Sequence, residues 1–188
     1  YGRHLIRMFE PHALLAGTGL GAADLEVPDA HIKVGQALQY VRNTIALADE
    51  PDWYLGWARE LADHFNGPMS IALVSAPKLS DGLDTFLRYF PSRVPYLHMQ
   101  GREDDQQFAA ELWPLIDLAE AKPMLIETPL IILQQHLKGV YGVDFADAEL
   151  HLDYSATPHA ARYARYFECP VYFDQPTCAL IMPTRWRK

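Results

Sequence analysis

The residues of this chain that could do chemistry are few and dispersed. Its two cysteines, Cys169 and Cys178, are separated by eight residues, a spacing that belongs to no zinc site and no thiol–disulfide motif. Two small thiols packing a sheet are what that spacing suggests. The eight histidines (His4, His12, His31, His64, His98, His136, His151 and His159) include no pair at ligand spacing on one helix, so no metal site is expected. No G-x-S-x-G, P-loop, G-x-G-x-x-G or H-E-x-x-H occurs. Gly17-Thr18-Gly19-Leu20-Gly21 is rich in glycine, but no strand leads into it, and it reads as a loop rather than a phosphate cradle. An acid–base pair can be drawn between Glu111 and His98 across a hairpin, yet nothing supplies a nucleophile beside a base. The expectation is no catalytic residue and no cofactor.

Binding is better served. Tyr96 to Gln100 and Gln107 to Trp113 alternate as strands do, joined by Gly101-Arg102-Glu103-Asp104-Asp105 as a hairpin loop. Leu97 and Met99 alternate with Tyr96 and His98, while Phe108 and Leu112 alternate with Glu111 and Trp113. If helices cover one face and the other borders a cavity, Tyr96, His98, Glu111 and Trp113, with Tyr154, are the candidate ligand-binding residues. The competing reading is a solvated sheet face with ordinary aromatic cross-strand pairs.

The elements that must hold these residues begin with helices. His12 to Ala16 is a short helical piece broken by Gly17-Thr18-Gly19. Ile32 to Leu47 repeats Val34, Leu38, Val41 and Ile45 at helical spacing. Trp53 to Phe65 follows, stopped by Asn66-Gly67-Pro68, and Met69 to Val74 forms a further apolar turn. Leu79, Leu83, Phe86, Leu87 and Phe90 make one stripe, on a helix with Asp81 and Asp84 in its first turns and Pro91 as its end. Met124 to Leu137 is apolar nearly all round and therefore central, kinked or started by Pro129 and closed by Gly139 and Gly142. Ala148 to Leu152 is a strand. Thr157-Pro158 starts a helix over His159 to Phe167. Val171 to Phe173 and Ala179 to Met182 are short strands around the turn Asp174-Gln175-Pro176-Thr177. Helices first, then helices mixed with a mainly antiparallel sheet, make the class α+β.

The 188 residues fit one domain, 1–188, large enough to bury a core without disulfide staples. An apolar content of 49% excludes disorder, and no apolar run is long enough to span a bilayer. Nothing at the N-terminus reads as a signal peptide, and so few cysteines make a reducing cytoplasm the default. With 16 basic residues against 24 acidic ones and a formal charge of −8, these residues are not expected to grip nucleic acid themselves. The basic end, Arg185-Trp186-Arg187-Lys188, stands against that balance.

Several stretches resemble one family. Leu14-Leu15-Ala16-Gly17-Thr18-Gly19-Leu20 is similar to the opening of the N-terminal sensor domain in the branch of AraC-type bacterial transcription regulators labelled arabinose-binding. Asp29-Ala30-His31-Ile32 follows where that family has Asp-x-Arg-Ile/Val-Pro. Gly67 to Leu79 resembles its Gly-x-Leu-Gly-Tyr-Ala-Leu-x-Ser-Ser-Pro-Thr-Leu, with the amphipathic helix to Phe90 next as expected. Phe167-Glu168-Cys169-Pro170-Val171-Tyr172-Phe173 through Ala179-Leu180-Ile181-Met182-Pro183 resembles the end of that domain. The likeness covers about residues 10 to 183. Ser70-Ile71 replaces Gly-Tyr, Lys78 replaces a helix-capping Thr, and Tyr154 stands where a His is common, differences that bear on the ligand more than on the fold.

The resemblance implies a cytoplasmic sensor domain that binds an unknown small-molecule effector, forms a homodimer, and reaches DNA only through a C-terminal helix-turn-helix region absent from this chain. It implies no enzyme and no membrane. Two other classes remain beside it: a small-molecule enzyme, and a dimerisation domain without a ligand.

Overall fold

The computed structural model describes residues 5–27, 31–64 and 68–187. Asp29-Ala30, the helix end Phe65-Asn66-Gly67 and the final Lys188, all used above, lie outside the described residues. The chain divides into two compact units, Tyr1–Trp53 with Leu118–Pro123, and Tyr54–Asp117 with Met124–Lys188.

In the first unit, α1 (Pro11–Leu14) begins on its proline and α2 (Ala22–Glu26) is started by Asp24, whose carboxylate accepts the Gly21 N–H at 2.8 Å. Between them Gly17 and Gly19 both take positive φ, 71° and 69°, which other residues adopt at a cost. The expected breaker is therefore a loop, and α3 (Val34–Leu47) clasps it. Asn43 Nδ2 donates to the Leu14 and Ala16 carbonyls at 2.9 and 2.7 Å, and Gln36 Nε2 donates to Thr18 O at 3.0 Å. The Val34, Leu38, Val41 and Ile45 stripe is only half-buried, while Tyr40 and Thr44 are the buried residues. Tyr40 fits there because its ring carries the apolar area, and Thr44 because its hydroxyl is satisfied by the Tyr40 carbonyl at 2.8 Å. A 3-10 turn, Ala119–Ala121, packs on α3 and pairs Glu120 with Arg42 at 3.1 Å.

The second unit holds the remaining helices and the sheet. The α4 helix (Trp53–His64) buries Tyr54, Leu55, Trp57, Ala58 and Leu61. The next pair, α5 (Pro68–Ser75) and α6 (Leu79–Arg93), pack on each other. Gly82 of α6 makes their approach possible, because a Cβ there would lie 2.5 Å from Tyr141 Oη and 3.0 Å from the Leu73 carbonyl. On α6 the stripe is as expected, with Leu79, Leu83, Phe86 and Phe90 buried. Pro91 does not end it. The helix runs to Arg93: Pro91 forgoes the single N–H bond to the Leu87 carbonyl, and the last turn is still closed by Val94 N–H on Phe90 O at 3.0 Å.

The sheet has five strands in the order β1-β2-β5-β3-β4, namely β1 (Leu97–Glu103), β2 (Gln107–Pro114), β3 (Glu149–His151), β4 (Val171–Tyr172) and β5 (Cys178–Pro183). All its pairings are antiparallel except β3 with β4, so the class is α+β. The first hairpin is longer than its sequence suggests. The Asp104 carboxylate accepts the Gln106 and Gln107 N–H groups at 2.8 Å each, moving the turn onto 104–106 and leaving Gly101, Arg102 and Glu103 in the strand. The last two strands are not hairpin partners: β3 lies between them, paired with both. Cys169 and Cys178 are consequently separate, each buried and reduced. Burial pushes the Cys169 thiol up to about 11, while Cys178 Sγ donates to Asp153 Oδ1 at 2.9 Å.

The α7 helix (Lys122–Tyr141) extends beyond the expected Met124–Leu137 at both ends and passes through Pro129. Gly142, at φ 64°, closes it by donating to Lys138 O at 3.0 Å; Gly139 lies inside. The expected helix over His159–Phe167 is a 3-10 segment, Ala160–Arg165. Thr157 offers its carbonyl to the Ala160 N–H at 3.0 Å and sends its hydroxyl to Tyr163 rather than capping an α-turn.

Candidate functional site

Two constellations in the second unit gather polar side chains. The first grows out of α7. From Pro123 to Leu137 its only formally charged residue is Glu127, and the buried run around it includes Leu125, Ile126, Leu130, Ile131 and Leu133. Glu127 is itself 0% exposed. An ionised carboxylate there loses its hydration and must be repaid by donors. Three phenols supply them: Tyr54 from α4 donates to Oε2 at 2.7 Å, while Tyr163 and Tyr154 donate to Oε1 at 2.6 and 2.5 Å. Among the described residues no Lys or Arg bonds it. Burial raises the Glu127 carboxyl to about 7, and the three phenol bonds only moderate that rise. Burial, with the Glu127 charge next, raises all three phenols far above their ordinary range, so they remain donors.

A second layer orients the phenols. His159 Nε2 lies 3.2 Å from Tyr54 Oη, and Thr157 Oγ1 donates to Tyr163 Oη at 3.2 Å. The Tyr163 ring sits among His159, Phe167 and Phe173, with centroids 5.5 to 5.6 Å away. Further along α7, Gln134 donates to Tyr166 O and accepts the Glu168 N–H, both at 3.0 Å, and Lys138 meets Glu168 at 2.6 Å. Glu127, Gln134 and Lys138 fall at i, i+7 and i+11, one stripe of the helix, and every one of them holds part of the 154–168 segment.

The second constellation is the half-exposed sheet face. Register places His98 opposite Trp113 and Gln100 opposite Glu111, and continues that row through Ala179, His151 and Tyr172. The opposite face buries Leu97, Met99, Phe108, Ala110, Leu112, Leu150 and Leu180, with α6 packed on β1. His98 and Trp113 stack, centroids 4.6 Å apart and planes tilted 39°. Glu111 lies diagonal to His98, not opposite it, and its carboxylate is 3.6 Å from Arg102. Tyr96 precedes the strand and accepts the Leu115 N–H at 2.9 Å. On the same face, Gln107, Glu149 and Ile181 border a shallow cleft of about 230 Å³ whose end is formed by Asp147 and Arg185.

Four of the five sequence-derived residues thus belong to the hairpin, Tyr96 at the start and His98, Glu111 and Trp113 on one face of it. Tyr154 belongs to the Glu127 cluster. Glu127, Tyr54, Tyr163 and His159 were missed. The signal was available in the lone carboxylate of the otherwise uncharged run from Pro123 to Leu137, which burial makes costly and hence informative.

The basic end is docked on this unit. Arg185 pairs with Asp147; Trp186 meets the Phe145 ring edge-on at 5.3 Å; Arg187 reaches Asp84 at 3.0 Å and Glu103 at 3.2 Å with its guanidinium 4.3 Å over Phe108.

A family model for the N-terminal arabinose-binding domain of AraC transcription regulators matches residues 9–188. The chain belongs to that family. This AraC-type domain also matches the crystal structure of the transcriptional regulator CdpR from Pseudomonas aeruginosa, with a TM-score of 0.50 at 12% identity, over 82% of this chain and 56% of that one. At that identity the likeness speaks for the fold, and this chain spans little more than half of the regulator's length. No curated protein matches it. Among the described residues of this AraC-type domain, no group of three His, Cys, Asp or Glu is placed to hold a metal, and no helix is long and apolar enough to cross a membrane.

Proposed function

We propose that this AraC-type domain binds a small-molecule effector on the half-exposed sheet face and controls an attached DNA-binding region, acting as a cytoplasmic homodimer and doing no chemistry on what it binds. The observation that carries the reading is the content of that face, where the stacked His98 and Trp113 and the diagonal Glu111 offer an apolar plane beside hydrogen-bonding groups; the cleft lined by Gln107, Glu149, Ile181, Asp147 and Arg185 lies at the other end of the same hairpin. Tyr96 borders the same hairpin. Tyr154 takes part from the other side, as an anchor of the segment that follows β3. An effector works here only if it binds two states of the domain with different affinity, and the protein's paired half-sites on DNA would then be read by two copies.

A thermal-shift screen against metabolites tests the reading. A ligand that binds only the folded state at one hundred times its Kd adds about 2.7 kcal/mol. The Trp113→Ala variant should abolish the shift of any hit, and a hit that shifts this variant as much as wild type removes the effector from this face. Light scattering with and without the hit tests the dimer. A dimer with no responding metabolite leaves the ligand-free dimerisation domain.

A further inference from the structure

The buried carboxylate is joined to a nearly buried histidine through one phenol, and the hydrogen atoms along that line can be counted. With Glu127 ionised, Oε1 takes two donors, Tyr154 and Tyr163, and Oε2 takes one, Tyr54. A hydroxyl has a single proton, so a Tyr54 that donates to Glu127 can only accept from His159. The imidazole, 3.2 Å away, must then carry its hydrogen on Nε2. If Glu127 gains a proton while Tyr154 and Tyr163 keep their bonds to Oε1 rather than Tyr163 turning to the neighbouring Tyr54 hydroxyl, the proton sits on Oε2. The new acid donates to Tyr54 Oη, Tyr54 turns its hydrogen to His159 Nε2, and the imidazole must carry its hydrogen on Nδ1.

We propose that Glu127, Tyr54 and His159 form a proton-binding relay in which loading one proton on Glu127 reverses two hydrogen bonds and switches the tautomer of His159. The balance closes. One proton taken up from solvent is added, in the count, at the buried His159 Nδ1; the Nε2–H bond breaks as a Tyr54 O–H bond forms; the original Tyr54 O–H breaks as Glu127 Oε2–H forms. The protein gains one proton, carried at the end by Glu127, and the imidazole stays neutral. His159, 8% exposed, is the least buried member of the line, although its Nδ1 is a buried atom, and Glu127 has no exposure of its own.

The titratable groups around Glu127 are Tyr54 from α4, Tyr154 from the loop after β3, and Tyr163 and His159 from the 157–165 segment. Cys178 of β5, bonded to Asp153, acts on Tyr154 in turn. The phenols, raised by burial, are neutral at physiological pH, so proton occupancy along the line is decided by Glu127 and the imidazole. That the carboxyl is raised into the neutral range puts the switch where a cell's pH can use it. Loading weakens the grip of α7 on the 154–163 segment, because Tyr154 and Tyr163 then donate to a neutral carbonyl rather than to a carboxylate. The relay is independent of which effector the sheet face takes.

Two-bond ¹H–¹⁵N spectra of the protein labelled at histidine distinguish the Nε2–H, Nδ1–H and imidazolium forms, and His159→Asn assigns the signal. His159 should be Nε2–H at pH 9 and change to the neutral Nδ1–H form by pH 6. Glu127→Gln mimics the loaded acid, since its NH₂ must take the Oε2 place with one donor rather than the Oε1 place with two. That variant should hold His159 as Nδ1–H at both pH values. One unchanged tautomer across the range in wild type, direct passage to imidazolium, or an E127Q protein that still switches would each overturn the relay. Should E127Q fail to fold, Tyr54→Phe removes the connecting hydroxyl. The His159 switch should then vanish, and its survival would overturn the proposal.

Discussion

Glu127 gives this domain a pH dependence of stability opposite in sign to that of most surface carboxylates. Its carboxyl is raised from 4.5 to about 7 in the folded protein, by burial first and despite three phenol bonds. Between those values the folded state holds a proton that the unfolded chain has released, so stability falls as pH rises. The contribution is fully present below pH 4.5, is lost progressively as pH climbs through about 7, and is flat beyond. At about 1.4 kcal/mol per unit, the loss is on the order of 3 kcal/mol, a large share of the 5–15 kcal/mol typical of a domain. Asp104 works in the other direction, its carboxyl held low by the Gln106 and Gln107 N–H groups. Its stabilisation is lost at acid pH, below this window.

Urea denaturation at pH 5, 6, 7 and 8 measures the effect, with the midpoint expected to drop across the series at constant slope. Glu127→Gln should flatten the series, because the amide cannot titrate and keeps an acceptor oxygen for Tyr154 and Tyr163. An E127Q protein with the same fall as wild type would place its source elsewhere. A wild-type protein equally stable at pH 5 and pH 8 would refute the reasoning outright, since burial would then not be raising this carboxyl.

Two further substitutions test the packing around the sites. Gly82→Ala forces a methyl to within 2.5 Å of Tyr141 Oη, which cannot retreat without losing its bonds to Leu73 O at 2.7 Å and Ala76 O at 3.2 Å; thermal melting should show a loss of about 1–3 kcal/mol, and an unchanged melting temperature would mean α5 and α6 are not in this contact. Arg187→Gln removes pairs to Asp84 and Glu103 and the stack over Phe108, worth about 1 kcal/mol together, and should make the 184–187 segment more susceptible to limited chymotrypsin cleavage at Trp186; equal digestion of both proteins would show that Arg187 does not hold it.

What the sequence made legible was periodicity. The α6 stripe and the alternation of β1 and β2 are properties of neighbouring residues, and so their buried faces could be read directly. The sheet order could not. Val171–Tyr172 and Cys178–Pro183 look like a hairpin because a turn joins them, yet β3, some twenty residues earlier, pairs with both and outcompetes the local option. The hairpin turn moved because a single carboxylate, Asp104, caps two amides, and Pro91 failed as a stop because the helix loses only one bond there, to the Leu87 carbonyl, and still closes its last turn with Val94 N–H on Phe90 O. For the candidate site, His98, Glu111 and Trp113 were found by parity along two strands. Tyr54 and Tyr163 lie 73 and 36 residues from Glu127, and no local pattern marks such partners.

Glu127 also bears on how a domain of this family can be two-state. A carboxylate in an apolar helix is unfavourable unless its donors are in place, and those donors come from separate places in the chain, α4, the loop after β3 and the 3-10 segment. Withdraw one phenol and the remaining charge is left under-solvated, which costs about 1–3 kcal/mol or more for a charged group. The three anchors therefore hold or release together rather than one at a time. Lys138 and Gln134, on the same stripe, extend that all-or-none grip to Glu168, just before Cys169 and β4. A proton on Glu127 or an effector on the sheet face would then act on one object, the 154–168 segment, from its two sides. Glu127 holds it from α7, and β3 holds β4, the strand that follows it, through His151 and Tyr172. A hydrophobic residue at position 127 would make a more stable core and would remove that coupling.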